Sequence, residues 1–178
     1  AEALAVKAPP GQIFSYQSPN TLILSRIIAD QAGGTETAVL NFVRRELFSP
    51  LGMTTSVLET DPSGTPVGSQ GMLASARDWG RLGELLLDGG QIGQRQLFPK
   101  DWVSYMTSST LGLPYGAGIW LSQADIDMPQ SRITRQSMPA GSFYASGDLG
   151  QRIYVVPSAH LVVVRLATSS GPNFGLRA

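Results

Sequence analysis

The apolar residues of this chain change their spacing about two-thirds of the way along, and that change limits the folds open to it. Up to Met106 they recur at three- and four-residue intervals; from Ile119 onward they come in short β-branched and aromatic runs. Helices first and hairpin strands afterwards describe an α+β chain, with helices packed on an antiparallel sheet.

The helical part divides at its turn residues. Ser18 suits an N-cap and Pro19 a first helical position, with Gly33 and Gly34 as the stop. Leu22, Ile23, Leu24, Ile27, Ile28 and Ala32 surround most of that helix, which predicts a buried one. A second helix is expected from about Thr37 to Leu47, with Ala38, Val39, Phe42, Val43 and Leu47 as its stripe, ended by Ser49-Pro50-Leu51-Gly52-Met53. Residues 54–72 read as irregular. Ser75 and Asp78 have the spacing of a capping box, and the following helix carries Trp79, Leu82, Leu85 and Leu86 before Asp88-Gly89-Gly90. Pro99 opens a short helix with Trp102 and Met106. Strands are predicted at 119–121, 142–146, 152–156 and 161–166, the last two joined by a turn from Pro157 to His160, and 122–139 is a polar loop.

Composition removes several function classes. At 178 residues and 42% hydrophobic, the chain can bury about 70% of its unfolded surface, enough for a real core. Thirteen Lys and Arg balance thirteen Asp and Glu, and a net charge of zero argues against nucleic acid and against polybasic membrane attachment. With no cysteine there are no disulfides, thiol chemistry or iron–sulfur clusters, and His160 is the only histidine. A His-rich metal site is excluded, and any Ser-His-Asp triad would have to use His160. No run of 18 apolar residues exists, so no membrane span is expected. The opening AEALAVKAPPG lacks a basic segment followed by an apolar one; it reads as the interior of a longer chain rather than a signal peptide. Gly147-Asp148-Leu149-Gly150 is half a dinucleotide fingerprint but precedes a strand, and Asp125 with Asp127 offers too few oxygens for calcium. No metal or organic cofactor is expected.

One ordered set of segments carries more. Pro10-Gly11, Phe14 and Tyr16-Gln17-Ser18 precede an apolar helix; FVRRELFSPLGM (42–53), ASARDWGRLGELLLDGG (74–90), QRQLFPKDWV (94–103) and FYASGDLGQRIYVVPSAHLVVVRL (143–166) follow. In this order they resemble the serine β-lactamase-like hydrolases, which include class C β-lactamases, DD-peptidases, esterases and 6-aminohexanoate-dimer hydrolases. The Tyr-x-Ser form and the Gly-x-x-Gly-Gln segment are closer to the esterase and 6-aminohexanoate-dimer hydrolase branch. The resemblance implies a bacterial protein whose residues 1–178 form the C-terminal portion of a single β-lactamase/transpeptidase-like domain.

The family's nucleophile is a Ser-x-x-Lys upstream of the tyrosine, one helical turn bringing hydroxyl and amine together. Here the only lysines are Lys7 and Lys100, preceded three places back by Leu4 and Leu97, so that motif is not in this chain. The expected enzyme is complete only with an N-terminal half, on the same polypeptide or as a separate chain. Alone, the chain is expected to be inactive and to expose an apolar surface where that half would pack.

What the resemblance implies for single residues can be set beside simpler readings. Tyr16 would serve in the proton relay: a phenol has a pKa of about 10, a neighbouring ammonium lowers it, and the phenolate then takes the serine proton. Its alternative is a packing ring. Ser18 would hydrogen-bond the lysine or the substrate, or simply cap its helix; it cannot present the amide carbonyl of the Asn common in relatives, which points away from β-lactams. The strand edge at Gly147 and Asp148 would give one backbone N–H to an oxyanion hole, a donor worth about 3 kcal/mol; the alternative is an ordinary turn. Asp148, an anion where a cation is frequent, disfavours a substrate carboxylate and suits a neutral or cationic ester or amide. His160 reads as a solvated turn residue, Asp78 as part of a helix cap, and Tyr115 with Trp120 as pocket lining or else as core packing or surface residues. The function implied is hydrolysis of a small-molecule ester or amide through an acyl-enzyme. The alternative is a truncated or degenerate non-catalytic relative that binds a ligand or partner.

Overall fold

The computed structural model describes residues 5, 8–122 and 138–168. Lys7, Asp125 and Asp127 lie outside the described residues. The chain divides into two compact units, Ala1–Asp78 and Trp79–Ala178.

In the first unit a Pro-Gly turn leads into helix α1 (Ser18–Gln31). Gln12 N–H meets the Pro9 carbonyl at 3.3 Å, and Gly11 takes φ +81°. Proline at the second position and a left-handed glycine at the third make a type II turn. The helix ends as expected: Gly34 N–H reaches back to Ala29 O at 2.8 Å, with Gly33 and Gly34 at positive φ.

The burial of α1 is the reverse of the sequence expectation. Its inward face is small, made by Ser25 and Ala29, because the backbone at Gly68 passes against the Ser25 hydroxyl. The large residues point out, with Leu24 59% and Ile27 54% exposed and Ile23 and Ile28 beside them. Apolarity on most sides shows that a helix face is to be covered; it does not show by what.

Helix α2 (Glu36–Val43) is capped by the Thr35 hydroxyl, which accepts from Ala38 N–H at 3.3 Å. It continues as a π-helical turn (Arg44–Phe48) into α3 (Ser49–Leu51). The wider turn precedes Pro50, which has no N–H to give, and Ser49 N–H reaches Arg44 O instead. Gly52 at φ +66° and a Met53 N–H to Phe48 O bond of 2.8 Å close it at the predicted Pro-Leu-Gly-Met stop.

Residues 54–72 are more ordered than their composition suggests. Strands β1 (Val57–Leu58) and β2 (Met72–Leu73) pair antiparallel, and the loop between them folds on Asp61. One Asp61 carboxylate oxygen accepts from Ser63 N–H, Ser63 Oγ and Thr65 N–H at 2.9, 2.6 and 3.0 Å. The Ser63 hydroxyl bond, followed by the Thr65 N–H, holds its pKa below the ordinary aspartate value.

Helix α4 (Ala76–Leu87) begins in the first unit. Ser75 Oγ accepts from Asp78 N–H at 3.3 Å, half of the expected capping box. The reciprocal bond is replaced: Asp78, 1% exposed, turns its carboxylate to Thr55 N–H, Thr55 Oγ1 and Ser56 Oγ, at 2.8, 2.7 and 3.3 Å. Thr55 Oγ1 in turn accepts from Ser75 N–H at 3.1 Å.

The second unit is built on a four-stranded antiparallel sheet in the order β5 to β8. A short hairpin of β3 (Gln91–Ile92) and β4 (Arg95–Gln96) comes before it, turning at Gly93, and then helix α5 (Trp102–Met106). The sheet strands are β5 (Trp120–Leu121), β6 (Phe143–Ser146), β7 (Arg152–Val156) and β8 (Leu161–Arg165). Strand alternation puts Leu121, Phe143, Val155 and Val162 in one row across all four strands. That row meets Leu86 of α4, Ile119, Phe98, and Val103 and Met106 of α5 to form the core. The neighbouring row, Trp120, Tyr144, Tyr154 and Val163, faces the other way. Its rings stack in sequence: Tyr115 edge-on to Trp120 at 4.9 Å, Trp120 to Tyr144 at 6.3 Å, Tyr144 to Tyr154 at 5.6 Å.

Candidate active site

The four residues singled out from the sequence fall into two pairs, one in each unit. Tyr16 and Ser18 share the segment that enters α1, and Gly147 and Asp148 share the turn between β6 and β7.

Tyr16 is 59% exposed and sits two residues before α1 starts. The chain ahead of the helix is held by the helix itself: Asn20 Nδ2 donates to Ser15 O at 2.7 Å, and Asn20 N–H to Gln17 O at 3.1 Å. The backbone under Tyr16 is therefore fixed on both sides while its ring stands at the surface. Ser18 departs from the expected cap. Gln17, extended at φ −146° and ψ 143°, holds the cap position with no side-chain bond, and Ser18 is the first helical residue. The reason is Pro19, whose fixed φ favours the first turn and whose missing N–H leaves a cap less to satisfy. The Ser18 hydroxyl has no hydrogen-bond partner among the described residues and is exposed, so it is open to a ligand.

The β6–β7 turn is tighter than a simple hairpin. Asp148–Gly150 forms a short 3-10 turn, with Leu149 at φ 52° and Gly150 at φ 89°. A left-handed leucine is uncommon and costs about 1 kcal/mol, so the turn is held by its surroundings. Gly147 N–H donates to Gln151 O at 2.9 Å, and Gln151 N–H to Asp148 O at 3.2 Å. The Asp148 carboxylate bends back to accept from Leu149 N–H at 2.9 Å. Of the first three residues of the turn, Gly147 and Leu149 spend their N–H groups internally. Asp148 N–H has no acceptor among the described residues and lies at an exposed position.

Three further side chains hold this turn, and of these only Gln151 entered the reading of the sequence, as the end of the Gly-x-x-Gly-Gln segment. Arg152 donates through Nη1 to Gly147 O at 3.1 Å and Gln151 O at 2.7 Å. Arg165 donates to Gly150 O at 2.7 Å. The Gln151 side chain pairs with the backbone beyond β8, giving to Ala167 O at 2.9 Å and accepting from Ala167 N–H at 3.0 Å. Arg152 and Arg165 gave no such signal.

The remaining candidates behave as their simpler readings require. His160 is an exposed turn residue at φ 46°, its N–H bonded to Pro157 O at 3.0 Å. Tyr115 and Trp120 belong to the aromatic row, and Asp78 is buried in its loop contacts. Among the described residues no group of three or more His, Asp or Glu could hold a metal ion, and no helix is long and apolar enough to cross a membrane.

The beta-lactamase family model matches residues 1–178. A solved chain assigned as a 6-aminohexanoate-dimer hydrolase from Bacillus anthracis superposes with a TM-score of 0.74 at 27% identity, covering 96% of this chain and 43% of that one. A beta-lactamase from Mycobacterium bovis gives 0.72 at 20% identity, covering 95% and 61%. A chain assigned as a beta-lactamase from Bacteroides dorei gives 0.62 at 17%, covering 92% and 54%; these last two show likeness of fold alone. The chain thus spans between about two-fifths and three-fifths of the length of these solved chains. No curated protein matches it.

Proposed function

The chain belongs to the beta-lactamase family, and from that premise we propose that the protein it forms part of is a serine hydrolase of small neutral or cationic esters or amides. The reaction proceeds through an acyl-enzyme. The nucleophilic serine and its lysine lie outside this chain, on the same polypeptide or on a partner that completes the domain. The observation that carries the reading is the surface phenol of Tyr16 on a segment anchored by Asn20, in the family's order of segments. The outward aliphatic face of α1, and solved relatives of about twice the length, support a completing half.

In this mechanism the Tyr16 phenolate takes the serine proton as the serine oxygen bonds to the substrate carbonyl carbon. The carbonyl π-electrons move to oxygen, and the oxyanion is held by backbone N–H groups, one of them from Asp148. Collapse of that intermediate breaks the bond to the leaving alkoxide or amine, which takes the proton back from Tyr16. Water then attacks the acyl ester by the same route and frees the acid and the serine. The Ser18 hydroxyl is within the same segment and available to a substrate polar group.

The test is intact-protein mass after incubation of the protein, as its gene encodes it, with a fluorophosphonate. A mass above 18.9 kDa that gains one adduct is expected, with Tyr16→Phe labelling at least about a hundred-fold more slowly. A protein of 18.9 kDa that takes no adduct would refute the hydrolase reading and leave the non-catalytic binding module.

A further inference from the structure

The Gly147–Asp148 peptide unit presents its two polar ends to different surroundings. Its carbonyl accepts a bond from the charged Arg152 guanidinium, and its N–H, the Asp148 N–H, has no acceptor among the described residues. In a trans peptide these two groups point in opposite directions, so holding one fixes the aim of the other. A cation on the carbonyl also draws electron density through the amide and strengthens the N–H as a donor.

Arg152 is kept in that place against its own electrostatics. It lies in register with Arg165 on β8, two like charges directly opposite, an unfavourable pairing. It has no carboxylate partner among the described residues, and its Nε is buried without an acceptor. A residue serving only the sheet at this position would be better as an uncharged side chain.

Resting on the hydrolase reading above, the geometry points to Arg152 as a positioning residue for the reaction, one that aims and polarises the Asp148 N–H toward the oxyanion of the tetrahedral intermediate. Arg165 and Gln151 hold the rest of the turn, and the Asp148 carboxylate accepts the Leu149 N–H within it. The strengthened donor acts on charge that exists only in the transition state, so its loss is read in kcat and not in KM.

The experiment compares p-nitrophenyl acetate hydrolysis by the unaltered protein, as its gene encodes it, with Arg152→Met and Arg152→Lys. Arg152→Met is expected to lower kcat about ten-fold or more with KM unchanged. Its Tm should be the same or higher, since the Arg152–Arg165 repulsion is removed. Arg152→Lys, which returns a cationic donor, should recover most of the loss. The Asp148 amide proton resonance should move upfield in Arg152→Met and less in Arg152→Lys. A kcat within two-fold of the parent in Arg152→Met overturns the proposal alone, as does a fall in kcat and Tm together in both variants. Should Arg152→Met fail to fold, Arg152→Gln is read in the same way; if neither folds, the role is structural and the proposal fails. No turnover by the unaltered protein overturns the hydrolase reading, and this inference with it.

Discussion

Two glycines one turn apart on α4 make a prediction whose sign depends on fractions of an ångström. A Cβ at Gly80 would meet only Val164 Cγ2, at 3.9 Å. A Cβ at Gly83 would stand 2.5 Å from Val162 Cγ1, 3.0 Å from Ile153 Cγ2 and 3.4 Å from Val162 Cγ2. In a helix interior, alanine is favoured over glycine by about 1 kcal/mol. Gly80→Ala should gain that amount, because 3.9 Å is an ordinary contact. Gly83→Ala gains the same propensity but must open its contact with Val162 by about an ångström. Val162 is β-branched with both methyls near the new carbon, so rotating it does not clear the space. Overpacking of this kind costs about 1–3 kcal/mol, leaving a net loss near 1 kcal/mol.

The two substitutions should therefore differ by about 2 kcal/mol in urea unfolding followed by circular dichroism at 222 nm, from the balance of helix propensity against overpacking. A Val162→Ala background removes the nearest obstacle. There Gly83→Ala should turn from harmful to neutral or stabilising, a coupling of at least about 1 kcal/mol. If Gly83→Ala stabilises as much as Gly80→Ala, or the coupling is near zero, the close approach of α4 to β8 is not what selects glycine at 83.

The buried carboxylate of Asp78 holds two hydroxyls and a backbone N–H of the 55–56 segment, so Asp78→Ala should cost about 3 kcal/mol, measured by the same unfolding curve, whereas Thr55→Val should cost less because Asp78 keeps the Thr55 N–H and the Ser56 hydroxyl. A loss below about 1 kcal/mol for Asp78→Ala would mean that those donors find water. Asp61 sets a pH dependence: its folded pKa is depressed, so its contribution is present above the unfolded value near 4 and is lost as pH falls through the lower folded value. Asp61→Asn should therefore flatten the decline of Tm in acid, and unchanged slopes from pH 5 downward would show that the loop does not sense that carboxylate.

The elements legible in the sequence were those whose pattern belongs to them alone. β6, β7 and β8 are short β-branched and aromatic runs set off by turn residues such as Gly147, Gly150 and Pro157, and their limits fall within a residue of those read from the sequence. The β3–β4 hairpin was not anticipated because two-residue strands are too short to show a period; Gly93 between Ile92 and Gln94 was its one trace. α1 was placed correctly and its burial wrongly, since Ile23, Leu24, Ile27 and Ile28 record that a covering surface is needed, whereas Ser25 and Ala29 record where this chain supplies one. The same limit applies to the site. Tyr16 and the Gly147 turn are local motifs and could be found by spacing. Arg152 could not: a charged residue opening a strand ordinarily points to solvent, and only the fold brings its guanidinium to the Gly147 carbonyl.

The aromatic row across the sheet gives the protein an optical asymmetry. All three tryptophans, Trp79, Trp102 and Trp120, lie in the unit from Trp79 to Ala178, and the other unit's only tyrosine is Tyr16. Emission excited at 295 nm therefore follows the sheet-bearing unit alone, and the stacked Trp120, Tyr144 and Tyr154 rings should give a near-ultraviolet dichroism band that vanishes when the strands separate. The helical unit is silent to tryptophan emission and visible at 222 nm. Recorded together in one denaturant titration, the two wavelengths tell whether the units unfold in one step or two.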